Sequence, residues 1–512
     1  MTPPVTHREV ELKFRVHGLF QMPDLVEHGV APQVDVGEPF EMEAVYHDTA
    51  ELTLFRWGVT LRRREGGKDA GWHMKLPVAG ADGTTRDEIH LPLDAGAVGS
   101  VPASLVQIVA PLLHELPLEP VVRLSTNRTP TVLANGDGQP LVEVVDDVVT
   151  VRHEGRTVSV FREVEVEVIA DDDPVTSDVM RRMTALLLEG GAEPSSVSKA
   201  ASALGPRTAE PPDVPAVRAP GPSGLAVDAI RATLSQHVRS LLLADVGVRR
   251  DLPDSVHQMR VSARRLRSTL GAFAPLLHRE ESARLREELK WIASELGAIR
   301  DTEVMMDRLS NHAADLVDPS DSERAREAVA SILGPRLAAA RSSALAALRS
   351  DRHQQLVDDL MDAAVAPPVT NDAYRPCEEV MPSLVADTWR RLVRSITRMR
   401  IDGPSAPWHE ARIKAKQARY TAEAIEDVFG KSMRRLANAL AEVTEVLGDH
   451  QDAYVAQNLL RDIAAQPSTS GTTGMSLGLL FEYECHVEMH DRFRFKDEWA
   501  RAQKRARSAG LA

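Results

Sequence analysis

Glu9, Glu11 and Lys13 occupy alternate positions of the segment "EVELK", and Glu163, Glu165 and Glu167 do the same in "FREVEVEV". On a β-strand this spacing puts each charged set on one face and Val10, Leu12 and Phe14, or Val164, Val166 and Val168, on the other. Further short segments repeat the pattern with mostly basic residues: Arg62 and Arg64 in "TLRRRE", His73 and Lys75 in "WHMKLP", and Arg86, Glu88 and His90 in "RDEIHL". A sheet with one wet face also alternates in this way. Two features point elsewhere. Carboxylates at i, i+2 and i+4 repel one another, and acidic strands are segregated from basic ones. Carboxylate oxygens are the hard ligands that Mg²⁺ and Mn²⁺ prefer, while Arg and Lys suit phosphate oxygens. Acidic strands opposite basic ones would build a lumen for a metal-bound polyanion.

A second basic constellation lies further along and occurs twice. "HQMRVSARRLRSTL" places His257, Arg260, Arg264 and Arg267 at the same spacing as His409, Arg412, Lys416 and Arg419 in "HEARIKAKQARYTA". On a helix, each set falls within an arc of roughly 80°, with Met259, Ala263, Leu266 and Leu270, or Ala415, Ala418, Ala422 and Ile425, on a separate side. A solvated basic face is the plain alternative, but crowded like charges destabilise a helix, and the duplication carries the histidine with it. Gln417 stands where the first copy has Arg265, so the second stripe is less basic. One histidine per copy, without carboxylate or cysteine at ligand spacing, is no metal site; it suits a phosphate-contacting or hydrogen-bonding role. Downstream, "LGAIRD" (Leu296–Asp301) is matched by "LGDHQD" (Leu447–Asp452).

The elements that must hold these residues differ in the two halves. Up to about residue 200, short alternating runs are separated by Gly-, Asp-, Asn- and Pro-rich turns, which predicts an antiparallel, mostly β domain over 1–204, with helices near 101–116 and 176–190. Residues 205–224, rich in Pro, Gly and Ala, read as a linker. From 225 to 505, apolar residues recur every three or four positions, which predicts an all-α domain. Its internal duplication suggests a doubled helical bundle, and 465–475 reads as a flexible loop. The chain is 43% apolar and 27% charged, ordinary for a globular protein of at least two domains. A net charge of −14 argues against specific nucleic-acid binding. Cys377 and Cys485 are far apart, no signal-peptide pattern opens the chain, and no apolar run is long enough to span a bilayer. A soluble cytoplasmic protein is the expectation.

The first half resembles the CYTH domains, the triphosphate tunnel metalloenzymes, whose ExExK motif is matched by "EVELK". The resemblance extends through the arginine strand (Arg62, Arg64), the lysine strand (Lys75), the Arg-x-Glu strand (Arg86, Glu88) and "VVRLSTNRT" (Arg123, with Arg128 a further candidate). It continues through "LVEVVDD" (Asp146 or Asp147), the late Glu-x-Glu strand and the closing Ser-Lys element "SVSKAAS" (Lys199). It implies an α+β multidomain protein that opens with an antiparallel eight-stranded β-tunnel, open at both ends, with charged residues inside. Glu9, Glu11, Glu165, Glu167 and Glu163 would hold Mg²⁺ or Mn²⁺. Lys13, Arg62, Arg64, Lys75, Arg86, Arg123 and Lys199 would bind the triphosphate, with Lys13, Glu9 and Glu11 catalytic. The second half resembles the CHAD domain, a duplicated helical bundle whose basic surface binds inorganic polyphosphate. This implies His257, Arg260, Arg264, Arg267, His409, Arg412, Lys416 and Arg419 as contacts.

The combination is similar to bacterial inorganic triphosphatases. The expected activity is metal-dependent hydrolysis of inorganic triphosphate, with a polyphosphate-binding module and cytoplasmic, granule-associated localisation. Thiamine-triphosphatase or adenylate cyclase chemistry is one alternative. A non-catalytic polyphosphate-binding or granule-targeting protein is another, which so many lumenal carboxylates disfavour.

Overall fold

The computed structural model of the protein describes residues 5–78, 85–96, 99–153, 156–170 and 173–511, and the side chains of 5–9 and 153 lie outside that description. Two compact units are present, Met1–Asp213 and Val214–Ala512. In the first, the strands are β1 (Val5–Val16), β2 (Gln33–Val36), β3 (Phe40–Asp48), β4 (Thr60–Glu65), β5 (Gly71–Pro77), β6 (Thr85–Leu91), β7 (Glu119–Ala134), β8 (Pro140–His153), β9 (Arg156–Val168) and β10 (Glu193–Ser195). The order β1-β6-β5-β4-β3-β7-β8-β9 closes because β9 pairs back onto β1. The result is an eight-stranded antiparallel barrel, to which β2 and β10 add outside the ring.

Closure follows from the pleat. Leu12, Phe14, Val16, Val142, Val144, Val164 and Val166 point outward and pack on Val179, Met183 and Leu187 of helix α3 (Thr176–Glu189). Helices α1 (Thr53–Arg56) and α2 (Ala103–Leu113) precede it in the chain. On β4, β5 and β6 the outward residues Leu61, Met74, Leu76, Ile89 and Leu91 are likewise buried. The charged parity is left inside, the reverse of an ordinary half-wet sheet.

One expectation needs correcting. Leu124, Val149 and Val151 share the inward parity of Arg128 and Asp147, and with Ala44 and Tyr46 they form a buried apolar cluster. Ala200, Ala203 and Leu204 of helix α4 (Lys199–Leu204) pack against it. The tunnel is therefore stopped at one end rather than open at both. Ser198 caps α4 by accepting the Ala201 N–H at 3.2 Å, which fixes Lys199 as the helix's first residue.

The second unit is helical: α5 (Ala226–Arg249), α6 (Ser255–Ala272), α7 (Arg279–Ala314), α8 (Pro319–Leu348), α9 (Asp351–Val365), α10 (Cys377–Ile396), α11 (Ala406–Phe429), α12 (Lys431–Ala464) and α13 (Gly471–Ser508). The duplicated motifs fall on equivalent helices, α6 then α7 and α11 then α12. The segment 205–224 is divided between the units. In the first, Arg207 pairs with Glu51 at 2.9 Å. In the second, Val214 is fully buried, and the Gly224 carbonyl accepts the Cys377 N–H at 2.8 Å. Within 465–475, helix α13 already starts at Gly471, capped by Ser470, whose Oγ accepts the Thr473 N–H at 3.1 Å. No helix is long and apolar enough to cross a membrane among the described residues.

Gly71 faces the lumen, and a Cβ there would lie 2.3 Å from His90 Nε2 and 2.4 Å from the Leu91 carbonyl oxygen. Gly71→Ala should destabilise the protein by about 1–3 kcal/mol, read as a lower thermal midpoint. Gly18→Ala, with nothing within 4 Å of the added carbon, should leave the midpoint unchanged.

Candidate functional site

The barrel encloses a cavity of about 870 Å³ whose lining is charged. Its acidic arc is built by β1, β9 and β8. Glu11 stands opposite Glu167 in the β1–β9 register, Lys13 opposite Glu165, and Glu143 opposite Glu167 across β8–β9. The basic arc is built by β4, β5, β6 and β7, which bring Arg62, Arg64, Lys75, Arg86 and Arg128 to the same cavity. Glu9 pairs with Arg86 across β1–β6 through the backbone; its side chain lies outside the described residues.

Lysines hold the acidic arc together. Lys13 Nζ lies 2.9 Å from Glu11 and 3.1 Å from Glu165. Lys199 Nζ reaches Glu165 at 2.7 Å, Glu163 at 2.8 Å and Asp147 at 3.0 Å. Arg128 forks onto Asp147 at 2.9 and 2.7 Å and touches Glu165 at 3.2 Å. Burial opposes the Lys13 charge, but Glu165 and Glu11 outweigh it and hold its pKa above the ordinary 10.5. Burial likewise opposes ionisation of Glu165, yet Lys199, Lys13 and Arg128 hold it well below the ordinary 4.5. For Glu11, burial is outweighed chiefly by Lys75 and Lys13, and its pKa is lowered too.

Several expected residues are re-sorted. Arg123 is exposed and pairs with Val45 on the outer parity of β7, so it does not join the clamp. Arg128, five residues on, does. Glu163 is not among the cavity-lining residues; it sits with Lys199 at the stopped end, where burial pushes its pKa up. Of the two aspartates, Asp147 faces inward, while Asp146 pairs with Arg162 at 2.8 Å on the outer face. Glu143 was missed, although it shares the parity of Asp147 in "LVEVVDD". On the basic side, Arg64 is 5% exposed and pairs with Asp69 of the β4–β5 turn, while its buried Nε has no partner. His73 sits 2.9 Å from Glu88 and 2.8 Å from the Asp69 carbonyl oxygen.

The donor set suits a hard divalent cation, because Glu11, Glu165 and Glu167 offer only oxygen. Among the described residues no three His, Cys, Asp or Glu side chains converge on one point.

In the helical unit, α6 and α11 pack together and bring both basic stripes to one place. The Arg264 and Arg419 guanidinium carbons lie 5.4 and 5.8 Å from the Tyr420 ring centroid. Lys416 lies in the field of Arg412, Arg264 and Arg260. Arg260 pairs with Asp301 at 2.7 Å, His409 bonds Gln451 at 2.8 Å, and Arg419 bonds Glu423 at 2.6 Å and Thr444 at 3.0 Å. No contact ties Arg267 to this cluster among the described residues. Within these stripes, His257 Nδ1, Arg264 Nε and Arg412 Nε are buried without a hydrogen-bond partner among the described residues. Buried donors are normally satisfied, and Arg264 Nε and Arg412 Nε leave two such donors unmet in one cationic patch.

Lys199→Met would strand Asp147, Glu163 and Glu165 without their shared ammonium. The expected loss is about 3–5 kcal/mol of unfolding free energy at pH 7. The stranded carboxylates gain protons more easily, so the deficit should shrink as pH falls towards 4.5, the ordinary glutamate value. Urea titrations of wild type and variant at both pH values check this.

Comparison with known proteins agrees with this geometry. Residues 7–201 match the CYTH domain family and residues 232–461 the CHAD domain family. Uncharacterized proteins from two strains of Mycobacterium tuberculosis are 32% identical over 525 residues, covering 99% of this chain and 98% of theirs. Among solved structures, PptA from Streptomyces chartreusis is 22% identical, with a TM-score of 0.48, over 54% of this chain and 100% of its own. The CHAD domain of the plant Ricinus communis is 25% identical, with a TM-score of 0.45, over 55% of this chain and 93% of its own. With a lysine-braced, charged barrel followed by a duplicated basic bundle, the chain belongs to the family that joins a CYTH domain, the fold of the triphosphate tunnel metalloenzymes, to a CHAD domain.

Proposed function

We propose that the protein hydrolyses inorganic triphosphate in its barrel with the help of Mg²⁺ or Mn²⁺, and that its helical unit binds inorganic polyphosphate. The observation that carries the first half is the division of one cavity into a carboxylate arc and a guanidinium and ammonium arc. A site for phosphate alone needs only the second arc. The buried Arg264 Nε and Arg412 Nε, without a partner among the described residues, carry the other half.

In this reading Arg62, Arg64, Lys75, Arg86 and Arg128 hold the phosphate chain. Glu11, Glu165 and Glu167 hold the cation, and Glu9 belongs with them by parity. When bound there, the cation would supply charge neutralisation to the phosphate chain as the P–O bond breaks. Lys13 remains an ammonium at neutral pH, because Glu165 and Glu11 hold its proton. It therefore donates a hydrogen bond to a phosphate or to the attacking water and does not remove the water's proton. Glu11 and Glu165, with lowered pKa values, are weak bases. Catalysis then rests on positioning and charge neutralisation more than on a strong base, as phosphoryl transfer permits. The same reading places the protein in the cytoplasm at polyphosphate granules, consistent with its two free cysteines.

The test is phosphate release from tripolyphosphate, ATP and thiamine triphosphate with Mg²⁺, Mn²⁺ or EDTA, with cyclic AMP measured alongside. Tripolyphosphate turnover that EDTA abolishes is expected. Absence of metal-dependent turnover of every substrate would sink the enzyme reading. Arg62→Ala should lower kcat/KM by about tenfold to a hundredfold, since neighbouring cations share the load. Glu11→Gln should cost more and should weaken Mn²⁺ binding followed by electron paramagnetic resonance. For the helical unit, reversing the charge of Arg260, Arg264, Arg412 and Lys416 together should abolish polyphosphate binding without abolishing tripolyphosphate hydrolysis.

A further inference from the structure

The two copies of the basic motif differ at one part-buried cationic position. The first copy has Arg264 and the second has Lys416, at identical spacing from His257 and His409. A guanidinium keeps its proton under all ordinary conditions, whereas an ammonium among other cations gives its proton up. The surroundings of Lys416 favour that loss. Arg412 lies on its own helix α11, Arg264 and Arg260 come from α6, and Asp452 comes from α12. Lys416 stands one helical turn from Arg412 and one from Tyr420, over whose ring Arg264 lies at 5.4 Å. Asp452 attracts the ammonium and is itself shared with Arg412 and with Arg308 of α7. On the far side, Asp301 of α7 is engaged by Arg260 at 2.7 Å.

We propose that Lys416 makes anion binding by the helical unit proton-linked, so that the site takes up a proton at the Lys416 amine as it engages a chain of phosphates. This deepens the polyphosphate reading and rests on it. The free site lowers its own repulsion by leaving Lys416 neutral, and burial together with Arg412 and Arg264 brings its pKa down to about 7. A phosphate chain laid across Arg264, Arg412 and Lys416 reverses the local field. The neutral amine then takes a proton from solvent and becomes an ammonium that donates to a phosphate oxygen. No other bond changes. Affinity should therefore fall as pH rises through neutrality, by about tenfold between pH 6 and pH 8 for one linked proton.

The test uses the full chain and long-chain inorganic polyphosphate, whose internal phosphates do not titrate in this range. Calorimetry in buffers of different ionisation enthalpy should report uptake of close to one proton per site at pH 8 and little at pH 6. Lys416→Arg should bind with nearly the same affinity at pH 6 and pH 8, with the excess proton uptake gone. Lys416→Met should be equally flat but weaker. The double variant His257→Gln, His409→Gln should keep the pH dependence, which separates Lys416 from the histidines. Wild-type binding that is flat across this range, or a dependence that survives Lys416→Arg, would overturn the proton linkage alone. Absence of polyphosphate binding by folded wild-type protein at every pH would overturn the polyphosphate reading, and the linkage with it.

Discussion

Putting carboxylates inside a barrel is costly, because each loses water that no apolar packing replaces. This protein meets that cost with two ammonium groups placed by very different devices. Lys13 arrives by strand alternation, two residues from Glu11 and opposite Glu165. Lys199 arrives from the far end of the domain's sequence, on the first turn of a short capped helix whose apolar side stops the barrel. The two share Glu165, so the β1–β9 seam that closes the ring is also where the charges are balanced. Closure, plug and electrostatics are thus one arrangement: opening the seam would expose the strand edges and separate Lys13 from Glu165 together.

That dependence explains what could be read from sequence. Parity is a local property, and it placed Glu11, Lys13, Arg62, Arg64, Lys75, Glu165 and Glu167 correctly on the cavity side. Arg123 and Arg128 lie on one long strand with opposite parity, and only the register with β3 and β8 shows that Arg128 faces in. Asp146 and Asp147 posed the same problem one residue apart, resolved by Arg162 outside and Arg128 inside. Glu163 has the right parity but is engaged by Lys199, at 2.8 Å, and is not among the cavity-lining residues. Height along a barrel depends on how all the strands stagger together, which no single segment records. The stopped end was illegible for the same reason, since Leu124, Val149 and Val151 look like any apolar strand residues until α4 covers them.

The helical unit was legible in a different way. Duplication showed that two basic stripes exist, and helical periodicity showed that each is one-sided. Neither could show that α6 and α11 pack together so that both stripes meet around Tyr420. The aromatic ring had no signal of its own in the sequence, yet both guanidinium groups lie within cation–π distance of it.

Under the proposed function, the two charged sites solve opposite problems. In the barrel, Lys13 and Lys199 are already engaged by carboxylates before any ligand arrives, so an incoming anion competes with internal partners and gains most by bringing a cation with it. In the bundle, guanidinium nitrogens are buried with no partner, and a lysine is crowded by three arginines. That site is under-neutralised until an anion binds. A polyanion gains there simply by arriving, through relief of repulsion and release of counterions, with no metal required. The barrel suits chemistry, because its charges are held in fixed positions. The bundle suits retention of a long chain, because its binding energy comes from charge and is spread over equivalent residues of two repeats.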